Sequence, residues 1–189
     1  MIITSQNLAN HGMNLPADTV FRINMAWCDS VEEFENILNK HKNNLFFVDL
    51  PIKRVKPPNN KYTIENLIPI IKSHDHIRYF AISNVESPDD LKKYVEILPN
   101  HITIVPKIES PLAVDNIQKI TDALPGKKIV MLDHDDLFSS LLKQNLPASE
   151  FKNYIKNLVN FCDKNNVTLL RTIGVVFSDS EKRISQYIK

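Results

Sequence analysis

Glycine is scarce in this chain, with only three among 189 residues. A loop that cradles phosphate with its backbone amides needs several glycines within a short stretch. Gly12, Gly126 and Gly174 lie too far apart to build such a loop. Any phosphate must therefore be bound by side chains or by the first turn of a helix.

Cysteine, net charge and long apolar runs are limited as well. Cys28 and Cys162 are too few for a disulfide framework or a zinc ribbon. The 23 basic and 22 acidic residues give a net charge of +1, which offers no electrostatic footprint for nucleic acid or an anionic membrane. No run approaches about 20 apolar residues, and the N-terminus lacks the blocks of a signal peptide. These absences predict a cytoplasmic protein that binds neither nucleic acid nor membrane.

Strand and helix patterns alternate about six times along the chain. The strands are predicted at 1–4, 19–25, 45–50, 77–83, 102–105, 128–132 and 167–172. The helices are predicted to begin at Ser30 (with Glu33 in a capping box), Thr63, Ser87, Ser110 and Ser149. Short connections between such elements require parallel strands joined by right-handed crossovers.

This alternation predicts one α/β domain over residues 1–189, a TIM-type (β/α) barrel of about seven parallel strands. A full barrel has eight strands, so the predicted barrel is trimmed or incomplete. Open sheet edges and apolar flanks are covered well by a second subunit, which predicts a homo-oligomer.

The most informative stretch is 101–124. Ile102 to Val105 predict a strand, and Ser110-Pro111 predict the cap and first residue of a helix. Lys107 and Glu109 lie in the connection, two residues apart, so their side chains point to the same side. The carboxyl ends of parallel strands are where α/β proteins place their chemistry. The alternative interpretation is an exposed ion pair in a loop, in which Glu109 contributes only about 0–1 kcal/mol to stability.

The stretch Lys-Ile-Glu-Ser-Pro-x-Ala-Val-x-Asn-Ile-x-x-Ile resembles the fifth strand and helix of the pyruvate kinase barrel. It is also similar to the related aldolase and citrate lyase β-subunit barrels. The resemblance implies that Glu109 binds a divalent metal, Mg²⁺ or Mn²⁺, and that Lys107 faces the phosphoryl group in transfer. Leu-Asp-His-Asp-Asp-Leu resembles the sixth strand and implies a second metal carboxylate, Asp136 by its Asp-Leu context or Asp133 by its position at the strand end. The alternative is that these aspartates only stabilise a helix N-terminus.

Two further segments resemble the second and third strands of the same barrel. Phe-Arg-Ile-Asn-Met-Ala-Trp implies a phosphate contact for Arg22 and, for Asn24, a part in a monovalent cation site that suits K⁺. Phe-Phe-Val-Asp-Leu-Pro implies that Asp49 belongs to the same cation site.

Four more residues are candidates for binding substrate, two from the resemblance and two from a basic loop. Ser83, in Phe-Ala-Ile-Ser-Asn-Val-Glu-Ser, and Thr172, in Leu-Leu-Arg-Thr, match a serine and a threonine of the substrate pocket. Lys53 and Arg54 stand in the loop that replaces the lid domain of the family, and they are candidates for holding a phosphorylated ligand. A solvated loop is the alternative interpretation of this basic run.

The chain also departs from the family pattern. Ala26 replaces the serine that completes the cation site, and Asp135 replaces the glycine before the metal aspartate. The lid that closes over the nucleotide is missing between residues 51 and 61, which predicts weak kinase turnover. His134 stands among carboxylates, which are expected to favour its protonated form.

The resemblance therefore implies a small Mg²⁺- or Mn²⁺-dependent enzyme that acts on phosphoenolpyruvate, pyruvate or a similar 2-oxo acid through an enolate. Phosphoryl transfer and lyase chemistry both stay open. The departures favour an alternative, a catalytically degenerate barrel that acts as a binding or scaffold protein.

Overall fold

A computed structural model describes residues 2–5, 16, 18–52 and 61–171, and these residues form seven strands and seven α-helices. The strands are Ile2–Ser5 (β1), Thr19–Asn24 (β2), Leu45–Leu50 (β3), Ile77–Ile82 (β4), Thr103–Ile108 (β5), Ile129–Leu132 (β6) and Thr168–Arg171 (β7). The helices are Val31–Lys40 (α1), Ile64–Ser73 (α2), Asp89–Ile97 (α3), Pro111–Asp115 (α4), Ile117–Asp122 (α5), His134–Lys143 (α6) and Phe151–Lys164 (α7). None of the helices in these ranges is long and apolar enough to cross a membrane.

The strands follow one another in the order of the chain, from β1 to β7. The pairs β1–β2, β2–β3, β3–β4, β5–β6 and β6–β7 are all parallel. Sequential parallel strands with intervening helices are the arrangement of a TIM-type barrel, which in full has eight strands. The predicted fold class is confirmed: the chain is an α/β protein with an incomplete TIM-type barrel.

The chain divides into two compact units, Met1–Ser83 with Lys93–Ile104, and Asn84–Lys92 with Val105–Lys189. The first unit has its core around β3, which is buried from Phe46 to Leu50. Continuous burial of this kind is typical of a parallel strand with both faces covered. Helix α1 begins at Ser30, whose hydroxyl accepts a hydrogen bond from the Glu33 amide at 3.0 Å. The Glu33 carboxylate accepts from the Asp29 amide at 2.6 Å, one residue before the donor that the predicted capping box requires.

The second unit contains most of β5 together with β6 and β7. The predicted helix start at Ser110 is confirmed, because its hydroxyl accepts a hydrogen bond from the Ala113 amide at 3.2 Å and Pro111 is the first helical residue. Strand β5 runs three residues further than predicted, through Pro106 to Ile108. The prediction ended with the β-branched run at Val105, and proline, which cannot donate to a strand ladder, is seldom found inside strands. Lys107 therefore lies within the strand, and Glu109 directly follows it.

Candidate metal site

The register of two neighbouring strands places Glu109 beside Asp133. In β5 and β6, Lys107 is opposite Met131 and Ile108 is opposite Leu132. Glu109 directly follows β5 and Asp133 directly follows β6, so both lie at the same carboxyl edge. Since side chains two residues apart on a strand point the same way, Lys107 lies on the face of Glu109.

Lys107, Glu109 and Asp133 form a compact ionic group. The Lys107 Nζ atom lies 2.5 Å from Glu109 Oε1 and 3.8 Å from Asp133 Oδ2. The side chains of Lys107 and Glu109 are only 6% and 3% exposed, and that of Asp133 is 18% exposed. The interpretation of Lys107 and Glu109 as an exposed loop pair is therefore wrong. A buried pair of this kind is costly to break, because the remaining charge loses its partner without regaining water.

Backbone amides orient two of the carboxylates. The Asn84 amide donates a hydrogen bond to Glu109 Oε2 at 2.6 Å. Asn84 has a φ of 54°, in the left-handed region that asparagine tolerates better than most residues. Asp133 is the N-cap of α6, and its Oδ1 accepts from the Asp136 amide at 3.3 Å. The aspartates thus do begin a helix, as the alternative interpretation of this cluster predicted.

Three carboxylates of the second unit converge. Glu109, Asp133 and Asp136 each offer an oxygen atom, and these atoms all lie within 4.8 Å of one another. Oxygen-only ligands of this kind suit hard divalent cations such as Mg²⁺ and Mn²⁺. Both residues that the sequence offered as the second metal carboxylate, Asp133 and Asp136, belong to this cluster. The residues present therefore fit the predicted ion class.

The surroundings of Glu109 change the pKa of its carboxyl group. Burial raises the pKa of Glu109, and the nearby Asp133 adds to this effect. The Lys107 ammonium and the Asn84 amide act in the opposite direction, since both stabilise the carboxylate. A cation placed against Glu109 would likewise favour its ionised form.

His134, at the first position of α6, differs from its prediction. Burial lowers its pKa, and the Arg171 guanidinium lowers it further, whereas Asp133 and Asp135 act in the opposite direction. The carboxylates thus act in the expected direction, but burial and Arg171 outweigh them, so the expected net preference for the protonated form is wrong. Arg171 pairs with Leu132 in the β6–β7 register, a neighbour that sequence spacing did not indicate.

The first unit holds a second buried pair. The Arg22 Nε atom donates to Asp49 Oδ2 at 3.1 Å, and Arg22 Nη2 contacts the same oxygen more closely. The Asp49 side chain is 1% exposed and that of Arg22 is 28% exposed. Asn24 pairs with Asp49 in the strand register, and its side-chain oxygen accepts from the Ala26 amide at 3.0 Å. Asp49 thus already has an internal cation.

The structure brings Lys107 together with Glu109, Asp133 and Asp136 in one unit, and Arg22 together with Asp49 and Asn24 in the other. Ser83 is buried at the end of the first unit. The phosphate contact of Arg22, the K⁺ site of Asn24 and Asp49, and the substrate contact of Ser83 stay predictions. Thr172, Lys53 and Arg54 lie outside the described residues.

Asn84 was not among the predicted site residues. A sequence signal for it does exist, namely an asparagine directly after a predicted strand, where a left-handed residue commonly turns the chain.

We expect Asn84→Val to be about 1–2 kcal/mol less stable than Asn84→Gly, because a left-handed φ is costly for a β-branched residue and not for glycine. Both variants lose the side-chain amide, so their difference in denaturant unfolding reports the backbone conformation. Equal stability of the two would contradict this role.

Comparison with protein families and with curated proteins gives no match. Solved structures do match. The crystal structure of RipC from Yersinia pestis has a TM-score of 0.60 at 15% identity, over 85% of this chain and 72% of that one. The Haloferax volcanii malate synthase lead(II) complex has a TM-score of 0.63 at 14% identity, over 87% of this chain and 56% of that one. This chain thus spans little more than half of the malate synthase. Identities this low show the fold alone, which agrees with an incomplete TIM-type barrel.

Proposed function

We propose that this chain binds Mg²⁺ or Mn²⁺ through Glu109, Asp133 and Asp136 and acts on a small 2-oxo acid or phosphoenolpyruvate-like anion. The observation that carries the proposal is the convergence within 4.8 Å of three carboxylates, two that directly follow neighbouring strands and one in the first turn of α6. When bound, such a cation polarises the carbonyl of a 2-oxo acid and stabilises the negative charge of its enolate.

The protein residues have distinct roles in this proposal. Lys107 supplies a positive charge to anionic oxygens of the ligand, at a buried position where charge–charge attraction is strong. The Asn84 and Asp136 amides hold the Glu109 and Asp133 carboxylates in place, so little reorganisation is needed when a ligand arrives. Roles for Arg22, Asn24, Asp49 and Ser83 rest on the pyruvate kinase resemblance alone.

The structural neighbours give limited support. One of them is a malate synthase in complex with lead(II), so a related fold accommodates a divalent metal ion. Membership of the pyruvate kinase-like superfamily is part of the proposal, carried by the Lys107 to Ile120 motif. It is supported by the shared fold class and not by overall identity.

A catalytically degenerate barrel is the second candidate. Lys107 neutralises Glu109 without a metal ion, and Asp133 caps α6, so both carboxylates have a structural task. Asp135 adds negative charge at the segment where the family holds the substrate carboxylate. In this candidate the barrel binds an anion or a protein partner and catalyses nothing.

Calorimetric titration separates the two candidates. We expect Mn²⁺ to bind the wild-type protein, and oxalate or phosphoenolpyruvate to bind only after Mn²⁺ is present. Asp136→Asn should weaken Mn²⁺ binding. The matched control is Asp122→Asn, which changes an exposed carboxylate that Gln118 and Lys128 contact in the same unit. A wild-type protein that does not bind Mn²⁺ would overturn the enzymatic proposal and favour the degenerate barrel.

A further inference from the structure

Glu109 and Asp133 each direct one oxygen toward the same point. The other oxygen of each carboxylate is held by a backbone amide, Glu109 Oε2 by Asn84 and Asp133 Oδ1 by Asp136. The remaining atoms, Glu109 Oε1 and Asp133 Oδ2, are those that approach the Lys107 ammonium at 2.5 and 3.8 Å. The amides therefore leave one oxygen of each carboxylate for a cation. The Lys107 ammonium already lies next to both of these oxygens.

Lys107 and Glu109 form a close ion pair. Glu109 Oε1 is buried and accepts no hydrogen bond of good geometry from the described residues, although the ammonium is close. A divalent ion needs the lone pairs of that oxygen, and those lone pairs are not used for hydrogen bonding.

We propose that the Lys107 ammonium occupies the cation position in the metal-free protein and is displaced from Glu109 when a divalent ion binds. This inference rests on the proposed metal site. An ammonium and a divalent ion cannot share the same oxygen atoms, because like charges at such distances repel strongly in a buried setting. Lys107 and the metal ion therefore compete for Glu109, and the displaced ammonium is then available for the anionic ligand. The two events couple metal binding to anion binding.

The principal test is the affinity for Mn²⁺ of a variant without the ammonium. Lys107→Met should bind Mn²⁺ roughly ten- to hundredfold more tightly than the wild type, because the competing charge is gone. Its melting temperature should fall without metal, since Glu109 and Asp133 lose their cation, and should recover when Mn²⁺ is added. Lys107→Arg keeps the charge and should show no gain in affinity. Lys93→Met removes a lysine from an exposed pair with Glu65 and should leave Mn²⁺ affinity unchanged.

The outcomes distinguish this inference from the proposed function. If the wild type binds Mn²⁺ and Lys107→Met binds it equally or more weakly, the competition is overturned while the metal site stands. If neither protein binds Mn²⁺, the metal site fails and the inference fails with it.

A second measurement uses only the wild-type protein and does not depend on the folding of a variant. Reductive methylation followed by peptide mass spectrometry reports the accessibility of each lysine. Lys107 should react slowly without metal, since its side chain is 6% exposed, and faster when Mn²⁺ saturates the protein. Lys93, whose side chain is 58% exposed, should react at the same rate in both states. Unchanged or slower methylation of Lys107 with Mn²⁺ would overturn the displacement.

Discussion

Glu109→Gln should lower the free energy of unfolding of the metal-free protein by about 3–5 kcal/mol and abolish Mn²⁺ binding. Both effects are expected together because Glu109 is a buried partner of Lys107 as well as the most enclosed member of the acidic cluster. Since burial raises the pKa of Glu109, the carboxylate itself gains little from its position. Most of the loss comes from the Lys107 ammonium, which loses the nearer of its two carboxylates.

A double variant isolates this cause. Glu109→Gln combined with Lys107→Met removes both charges and should recover most of the lost stability, since replacing a whole buried pair is often neutral. It should not recover Mn²⁺ binding. The control is Glu65→Gln, which removes a carboxylate from an exposed pair with Lys93 and should change neither quantity. Chemical denaturation and calorimetric titration measure the two effects separately. A Glu109→Gln protein of wild-type stability that still binds Mn²⁺ would contradict both roles.

Arg22→Met should also destabilise the protein, by about 3–5 kcal/mol, because it leaves the Asp49 carboxylate buried without its cation. Arg22 Nε and Nη2 both contact the same oxygen of Asp49. The pair therefore depends on charge more than on bidentate hydrogen bonding to two carboxylate oxygens. Arg22→Lys should therefore lose less stability than Arg22→Met. A double-mutant cycle with Asp49→Asn should show a coupling free energy above the error of the measurement.

The Arg22 prediction distinguishes a structural role from the phosphate contact that the resemblance implies. Arg78, on exposed surface of β4, provides the control, and Arg78→Met should leave the unfolding midpoint unchanged. If Arg22→Met unfolds like the wild type and only weakens the binding of phosphoenolpyruvate, the guanidinium serves the ligand and not the fold.

Local sequence signals predicted those parts of the molecule that local interactions determine. The Ser110-Pro111 helix start, the seven strands and the shared face of Lys107 and Glu109 follow from capping, β-branched runs and the two-residue strand period. The grouping of Glu109 with Asp133 and Asp136 followed from the resemblance, and the strand register supports it.

Other features depended on contacts between distant residues. The burial of the Lys107–Glu109 pair and the effect of Arg171 on His134 both arise from neighbours that only strand pairing provides. The role of Asn84 arises from its main chain, which side-chain patterns do not report. Strand β5 continues through Pro106, against the local preference that keeps proline out of strand interiors.

Glu109 is held by the main-chain amide of Asn84, and this affects which residues related proteins can carry at position 84. Every non-proline residue carries the amide that Asn84 donates to Glu109, so substitution at position 84 preserves the donor wherever the left-handed turn is tolerated. The hydrogen bond to Glu109 therefore places no selection on the side chain at position 84. Sequence change at this position is limited instead by which residues tolerate a left-handed main chain. Homologues with glycine or aspartate at this position are therefore expected to retain the same acid geometry, and searches keyed to side-chain identity would pass them over.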